Sequence, residues 1–250
     1  MIPSNGLCVG LDIDLSKIPL HLRGRADAIV AFNEAIIGAT RHVAACFKIN
    51  LAFYEQYGKT GIDAMYATRD LCGTSYVIAD AKRGDIGNTS AAYAKAVFDD
   101  LKADAVTVSP YMGSDSVGPF LEVPNKMVYV LALTSNAGSH DFQRCMVDGE
   151  PLYERVMRTA LAWERRADIG FVVGATHAAE LASLRASFPN VPFLVPGVGS
   201  QGGDASTIRS ANGGGPAVFN VSRGLLYIDP SENFAASVRA EAERLAALLA

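Results

Sequence analysis

Residues 78–89 read IADAKRGDIGNT, in which Asp80, Lys82, Arg83 and Asp85 put four charges into six positions. They follow the apolar run SYVIA, where a buried strand should be ending. Asp80 and Lys82 are two residues apart, so on a strand their side chains leave by one face. Turned inward, each needs a partner, because an unpaired charge out of water is heavily penalised. Lys48, near the end of FKIN, can bring a second cation to the same place. Lysines and aspartates converging on the catalytic end of a fold make a cluster of fixed charges that a catalytic site can use. The plainer reading is an ion-pair network that seals one end of the fold. A second chemistry lies further on, in PGVGSQGGD (196–204) and SRG (222–224). Glycine-rich backbone exposes N–H donors and Arg223 adds a guanidinium, a combination suited to phosphate.

These residues need elements that deliver them to one place. Eight apolar runs recur along the chain: 7–12, 46–50, 75–80, 105–109, 127–133, 170–175, 192–198 and 217–222. Each is short, rich in Val, Ile and Phe, and bounded by turn residues, as strands buried on both faces are. Helical patterns lie between them, among them AYAKAVFDDLKA and LYERVMRTALAWERR, the latter opening near Pro151. A last helix in SENFAASVRAEAERLAALLA is expected to be capped by Ser231, and Gly213–Gly215 to form a loop. This alternation predicts an α/β fold, a single (β/α)8 TIM barrel over residues 1–250. An open doubly wound sheet is the alternative, disfavoured by the strand number and by the missing early GxGxxG turn. On a barrel, the polar residues Asp12, Lys48, Asp80, Lys82, Ser135, Gln201 and Arg223 all fall at strand ends and meet at one mouth.

Composition narrows the partners. The chain has 250 residues, a formal charge of −4 and no basic run, which excludes nucleic acid as an expected partner. No apolar stretch is long enough to span a bilayer, and the N-terminus has no signal-peptide pattern. Cys8 and Cys46 lie in apolar runs and no CxxC pair occurs, so buried thiols and a cytoplasmic setting are expected. His21, His42, His140 and His177 share no metal-ligand spacing.

DAKRGDIGNT resembles the DxKRGDIGxT signature of the orotidine 5′-phosphate decarboxylase family. The resemblance runs in order through GLD (10–12), FKIN (47–50), SPYMGSDSVGPF (109–120), LTSNAGS (133–139), PGVGSQGGD and SRG, and the SPYMG and LTSN segments are similar to its widespread bacterial branch. It implies conversion of orotidine 5′-monophosphate to UMP and CO2 with no metal and no cofactor. By matched position, Lys48, Asp80, Lys82 and Asp85 would be the catalytic tetrad, with Lys82 the proton donor to C6. Asp12 and Lys48 would contact the ribose, Ser135 the pyrimidine edge, and Gln201, Gly202, Ser222 and Arg223 the phosphate. Asp85, Ile86 and Thr89 would reach into the neighbouring subunit's site, making the enzyme a homodimer with sites at its interface. Ser222 departs mildly from relatives that carry Gly before the Arg. Arg83 is expected to brace the loop or the dimer contact, and the 109–120 loop to be structural or interfacial. Two other functions fit less well: a metal-dependent sugar-phosphate decarboxylase or aldolase with a shared DxKxxD core, and a non-catalytic nucleotide sensor.

Overall fold

The apolar runs form strands that close on themselves. A computed structural model describes residues 3, 5–174, 178–198 and 204–250. The strands are β1 (Asn5–Gly10), β2 (Cys46–Asn50), β3 (Val77–Arg83), β4 (Ala105–Val108), β5 (Met127–Leu133), β6 (Asp168–Val173), β7 (Phe193–Pro196) and β8 (Ala217–Val221). All neighbours are parallel, and β8 pairs with β1 from Asn5↔Ala217 to Val9↔Val221, closing the barrel. The expected (β/α)8 barrel is thus the observed fold. Its strands are almost wholly buried because helices cover them outside and side chains fill them inside.

The principal helices are α1 (Ala28–Thr40), α2 (Gly58–Cys72), α3 (Gly87–Lys95), α4 (Ser114–Leu121), α5 (Leu152–Leu161), α6 (Ala178–Ser187), α7 (Ala205–Ala211) and α8 (Phe234–Leu249). Among the described residues none is long and apolar enough to cross a membrane. Cys8, Cys46 and Cys72 are buried thiols and Cys145 is exposed.

Three local expectations need correction. The amphipathic pattern of α5 suggests a helix through Arg166, yet it stops at Leu161. There the N–H groups of Arg166 and Ala167 both donate to Leu121 O at 2.8 Å, tying the chain across to the end of α4. The helix read over residues 92–103 starts earlier, at Gly87, and ends in a π-turn at Ala96–Asp100 that brings Val97 and Phe98 into the core. Ser231 does not cap α8. Asn233 holds the cap position without a side-chain bond, and the Ser231 hydroxyl accepts from the Asn233 N–H at 3.2 Å. A two-residue hairpin, Met146–Val147 with Glu150–Pro151, also interrupts the long β5–α5 connection.

Candidate active site

Strand β3 runs through the charged motif instead of ending before it, and it does not run regularly. Ala79 pairs with Val106 on β4 and Arg83 with Val108, so Asp80, Ala81 and Lys82 together face Thr107. This is a bulge, and bulges re-aim side chains. Lys82 takes a left-handed backbone, φ 47°, which is rare away from glycine and asparagine. The outcome is that Lys82 Nζ lies 2.5 Å from Asp80 Oδ1.

Lys48, from β2, lies on the other side of the same carboxylate. Its Nζ is 2.9 Å from Asp80 Oδ2 and 3.2 Å from Asp12 Oδ1. Burial pushes against the charge of Lys48, which is 3% exposed, but Asp12 and Asp80 outweigh it and raise its pKa above the ordinary lysine value. Burial likewise opposes ionisation of Asp80. Lys48 and Lys82 win, holding its carboxyl well below the usual range. The result is a buried carboxylate, ionised at neutral pH, with an ammonium on each oxygen.

Asp12 is placed by the loop after β1, which three tyrosines fix. The Tyr54 hydroxyl donates to Leu11 O and that of Tyr227 to Asp12 O, both at 2.9 Å. Tyr227 also accepts from Asp14 N–H at 2.7 Å, and Tyr57 from Leu15 N–H at 3.1 Å. Gly10 ends β1 with no room for more, since a Cβ there would fall 1.9 Å from Ser222 Oγ. That close approach brings the end of β8 against the end of β1.

Asp12, Lys48, Asp80, Asn220, Ser222 and Arg223 line one cavity of about 170 Å3, together with Pro196 and Gly197. Arg223 is exposed at its edge and forms no ion pair among the described residues. Ser135 lies in a second depression, of about 280 Å3, with Thr134, Asn136, His140 and Arg144, which shares no lining residue with the first. Gly174 packs so tightly there that a Cβ would sit 2.9 Å from Ser135 N. Asp85, Ile86 and Thr89 do not line this cavity. The Asp85 carboxylate accepts from Ile86 N–H at 2.7 Å and, among the described residues, forms no ion pair. Gln201 and Gly202, like His177, lie outside the described residues. Arg83 ion-pairs with Glu55 and lies over the Tyr93 ring at 5.3 Å, which is bracing.

The chain matches the family described as "Orotidine 5′-phosphate decarboxylase / HUMPS family" over residues 5–237. It belongs to that family. An orotidine 5′-phosphate decarboxylase of Porphyromonas gingivalis is 48% identical over 243 residues, 94% of this chain and 88% of that one. Among solved structures, UMP synthase of Leishmania donovani aligns with a TM-score of 0.85 and 40% identity, covering 98% of this chain and 54% of that chain. OMP decarboxylase of the same organism gives 0.81 and 38%, covering 97% and 94%. The motifs that resembled the orotidine 5′-phosphate decarboxylase family therefore belong to a match along nearly the whole chain.

Some residues of the site have no place in that family signature. Thr107 donates from Oγ1 to Asp80 Oδ1 at 2.9 Å, and Asn220 donates from Nδ2 to Ser222 Oγ at 3.1 Å. Both are polar residues inside otherwise apolar strands, and that alone was a usable signal, since buried polar groups are held by partners. The three tyrosines carried no such signal, because their partners are backbone atoms far away in sequence.

Proposed function

We propose that this site decarboxylates orotidine 5′-monophosphate to UMP and CO2 without a metal or organic cofactor. The observation that carries the reading is the buried Asp80 carboxylate held between Lys48 and Lys82. When the bond from C6 to the carboxylate breaks, its electron pair stays on C6 in an in-plane orbital that the ring delocalises poorly. Fixed charges must stabilise it, and Lys82 is the cation that can reach out, its side chain being 45% exposed against 4% for Lys48. Lys82 Nζ then gives a proton to C6, CO2 departs, and solvent returns the proton to the amine. Asp80, 2.5 Å from Nζ, holds Lys82 in place before the transfer.

Asp12 and Lys48 would hold ribose hydroxyls, Ser135 the pyrimidine edge, and Arg223 with Ser222, Gln201 and Gly202 the phosphate. With Asp12, Lys48, Asp80, Lys82 and Arg223 charged, the described cluster carries one net positive charge, suited to an anionic nucleotide. Remote grip on the phosphate can be used to hold the reacting end in place.

The proposal includes a homodimer in which Asp85, Ile86 and Thr89 complete the partner's site. Supporting it, Ile86 is 57% exposed, Tyr111 85% and Phe142 64%, on the loops after β3, β4 and β5. The Tyr111 and Phe142 rings lie 6.5 Å apart, an apolar surface that favours being covered. A cytoplasmic setting belongs to the same reading and is compatible with the buried thiols of Cys8, Cys46 and Cys72.

A metal-dependent sugar-phosphate reaction is less well supported, because both oxygens of Asp80 are occupied by lysine ammonium groups. The test is loss of absorbance on orotidine 5′-monophosphate in excess chelator. Full turnover is expected, with Lys82→Ala lowering kcat by about 10⁴-fold or more. Strict dependence on Mg²⁺, or UMP binding with no turnover, would overturn the reading.

A further inference from the structure

We infer that Thr107 is a positioning residue for the proton-transfer step, one that sets the geometry of Asp80 and Lys82 without touching substrate. The inference rests on the decarboxylase reading and adds to it a residue outside the charged tetrad.

Thr107 is fully buried on β4, and its hydroxyl makes two bonds of opposite sense. It donates to Asp80 Oδ1 at 2.9 Å and accepts the backbone N–H of Lys82 at 3.0 Å. The second bond stands where the bulge has displaced the strand ladder: Asp80, Ala81 and Lys82 face this one residue of β4. On a regular strand, residues two apart carry their side chains about 7 Å from each other. Here the left-handed turn at Lys82 folds its ammonium back to 2.5 Å from Asp80. Such a backbone persists only where its surroundings hold it. The Thr107 hydroxyl is the side chain that grips both ends of the turn, the Asp80 carboxylate and the Lys82 amide.

Its orientation fits the chemistry. An ionised carboxylate only accepts, so Thr107 must donate to Asp80, which leaves its lone pairs for the Lys82 N–H. When Lys82 gives its proton to C6, the ammonium against Asp80 Oδ1 becomes a neutral amine. Thr107 on Oδ1 and Lys48 on Oδ2 then keep Asp80 in place, so the pair is ready for reprotonation. Valine matches threonine in shape but can do neither task. Serine can do both, with a freer χ1.

The experiment compares the full-length wild type with Thr107→Val, Thr107→Ser and Thr107→Cys, measuring kcat and KM on orotidine 5′-monophosphate, Kd for UMP and Tm. Thr107→Val is expected to lower kcat about 10- to 100-fold, the effect of losing one hydrogen bond to a charged group. Because the product lacks the reacting carboxylate, KM and the UMP Kd should stay within about threefold. Thr107→Ser should recover kcat to within about threefold of wild type. A Thr107→Val kcat within about twofold of wild type would overturn the inference, as would equal kcat losses in the Val and Ser variants. So would a rise in KM at unchanged kcat, which marks lost binding rather than lost alignment. Should Thr107→Val not fold, Thr107→Cys decides. With its weak S–H donor it should lose about fivefold or more in kcat, and a wild-type kcat would count against the role. Inactivity of the wild type would defeat the decarboxylase reading itself, and is seen before any variant is made.

Discussion

Three donors meet on the carboxylate of Asp80, from Lys48, Lys82 and Thr107, and this sets how its protonation couples to folding. Its folded pKa is depressed, so the stability it adds is complete above the unfolded value near pH 4 and fades as pH falls toward the folded value. Lys48 behaves in the opposite sense. Its folded pKa is raised, so its contribution is complete below about pH 10 and fades above. Urea unfolding of wild type and Asp80→Asn should therefore diverge most at neutral pH and draw together progressively as pH falls below about 4. A constant difference over that range would mean Asp80 is not held ionised. The sequence displayed these charges openly, and their convergence could be read from strand-end positions alone. It showed Thr107 only as a polar residue in an apolar strand, and not its partners, because a bulge aligns it with residues about 25 positions earlier in the chain.

Among the elements, the last two strands are tied at the end of the barrel opposite the site. Arg185, near the end of α6, is 5% exposed and, among the described residues, has no carboxylate partner. Its guanidinium donates to the carbonyls of Phe188, Pro189, Val191 and Pro216 and to Asn212 Oδ1, and lies 3.9 Å above the Phe193 ring. These partners lead into β7 and β8. The glycine cluster, expected only to be a loop, makes room for this arrangement: a Cβ on Gly215 would lie 2.4 Å from Arg185 Nε. Arg185→Met leaves several buried acceptors unpaired and should lose on the order of 3 kcal/mol, about 6–12 °C in Tm. Its kcat/KM should stay within about twofold of wild type, since the bonds are remote from the mouth. A selective loss of activity would contradict this account. Periodicity located every barrel strand, but helix ends depended on distant contacts such as Leu121 O with Arg166, which no local pattern encodes.

For the whole molecule, the proposed sharing of residues between subunits has an arithmetic test. Lys82→Ala and Asp85→Ala should each be nearly inactive alone. Unfolded together and refolded, random pairing makes half the dimers mixed, and each mixed dimer regains one site with both residues native. About a quarter of wild-type activity should return, whereas sites built within one subunit would recover none. The exposed Tyr111 and Phe142 give the matching physical measurement. Changing both to Asp should shift sedimentation from dimer to monomer, and an unchanged sedimentation coefficient would move the interface elsewhere.

The close approach of Gly10 and Ser222 has one more consequence, for how the protein is made. Asp12 follows the first strand and Arg223 the last, and those strands pair across more than two hundred residues of sequence. Lys48, Asp80, Lys82 and Thr107 can assemble once the first four strands have left the ribosome. The side of the cavity lined by Asn220, Ser222 and Arg223 has no wall until β8 emerges and slides in beside β1. A nascent chain can thus hold its buried ion pairs early, but the proposed phosphate seat must wait for β8.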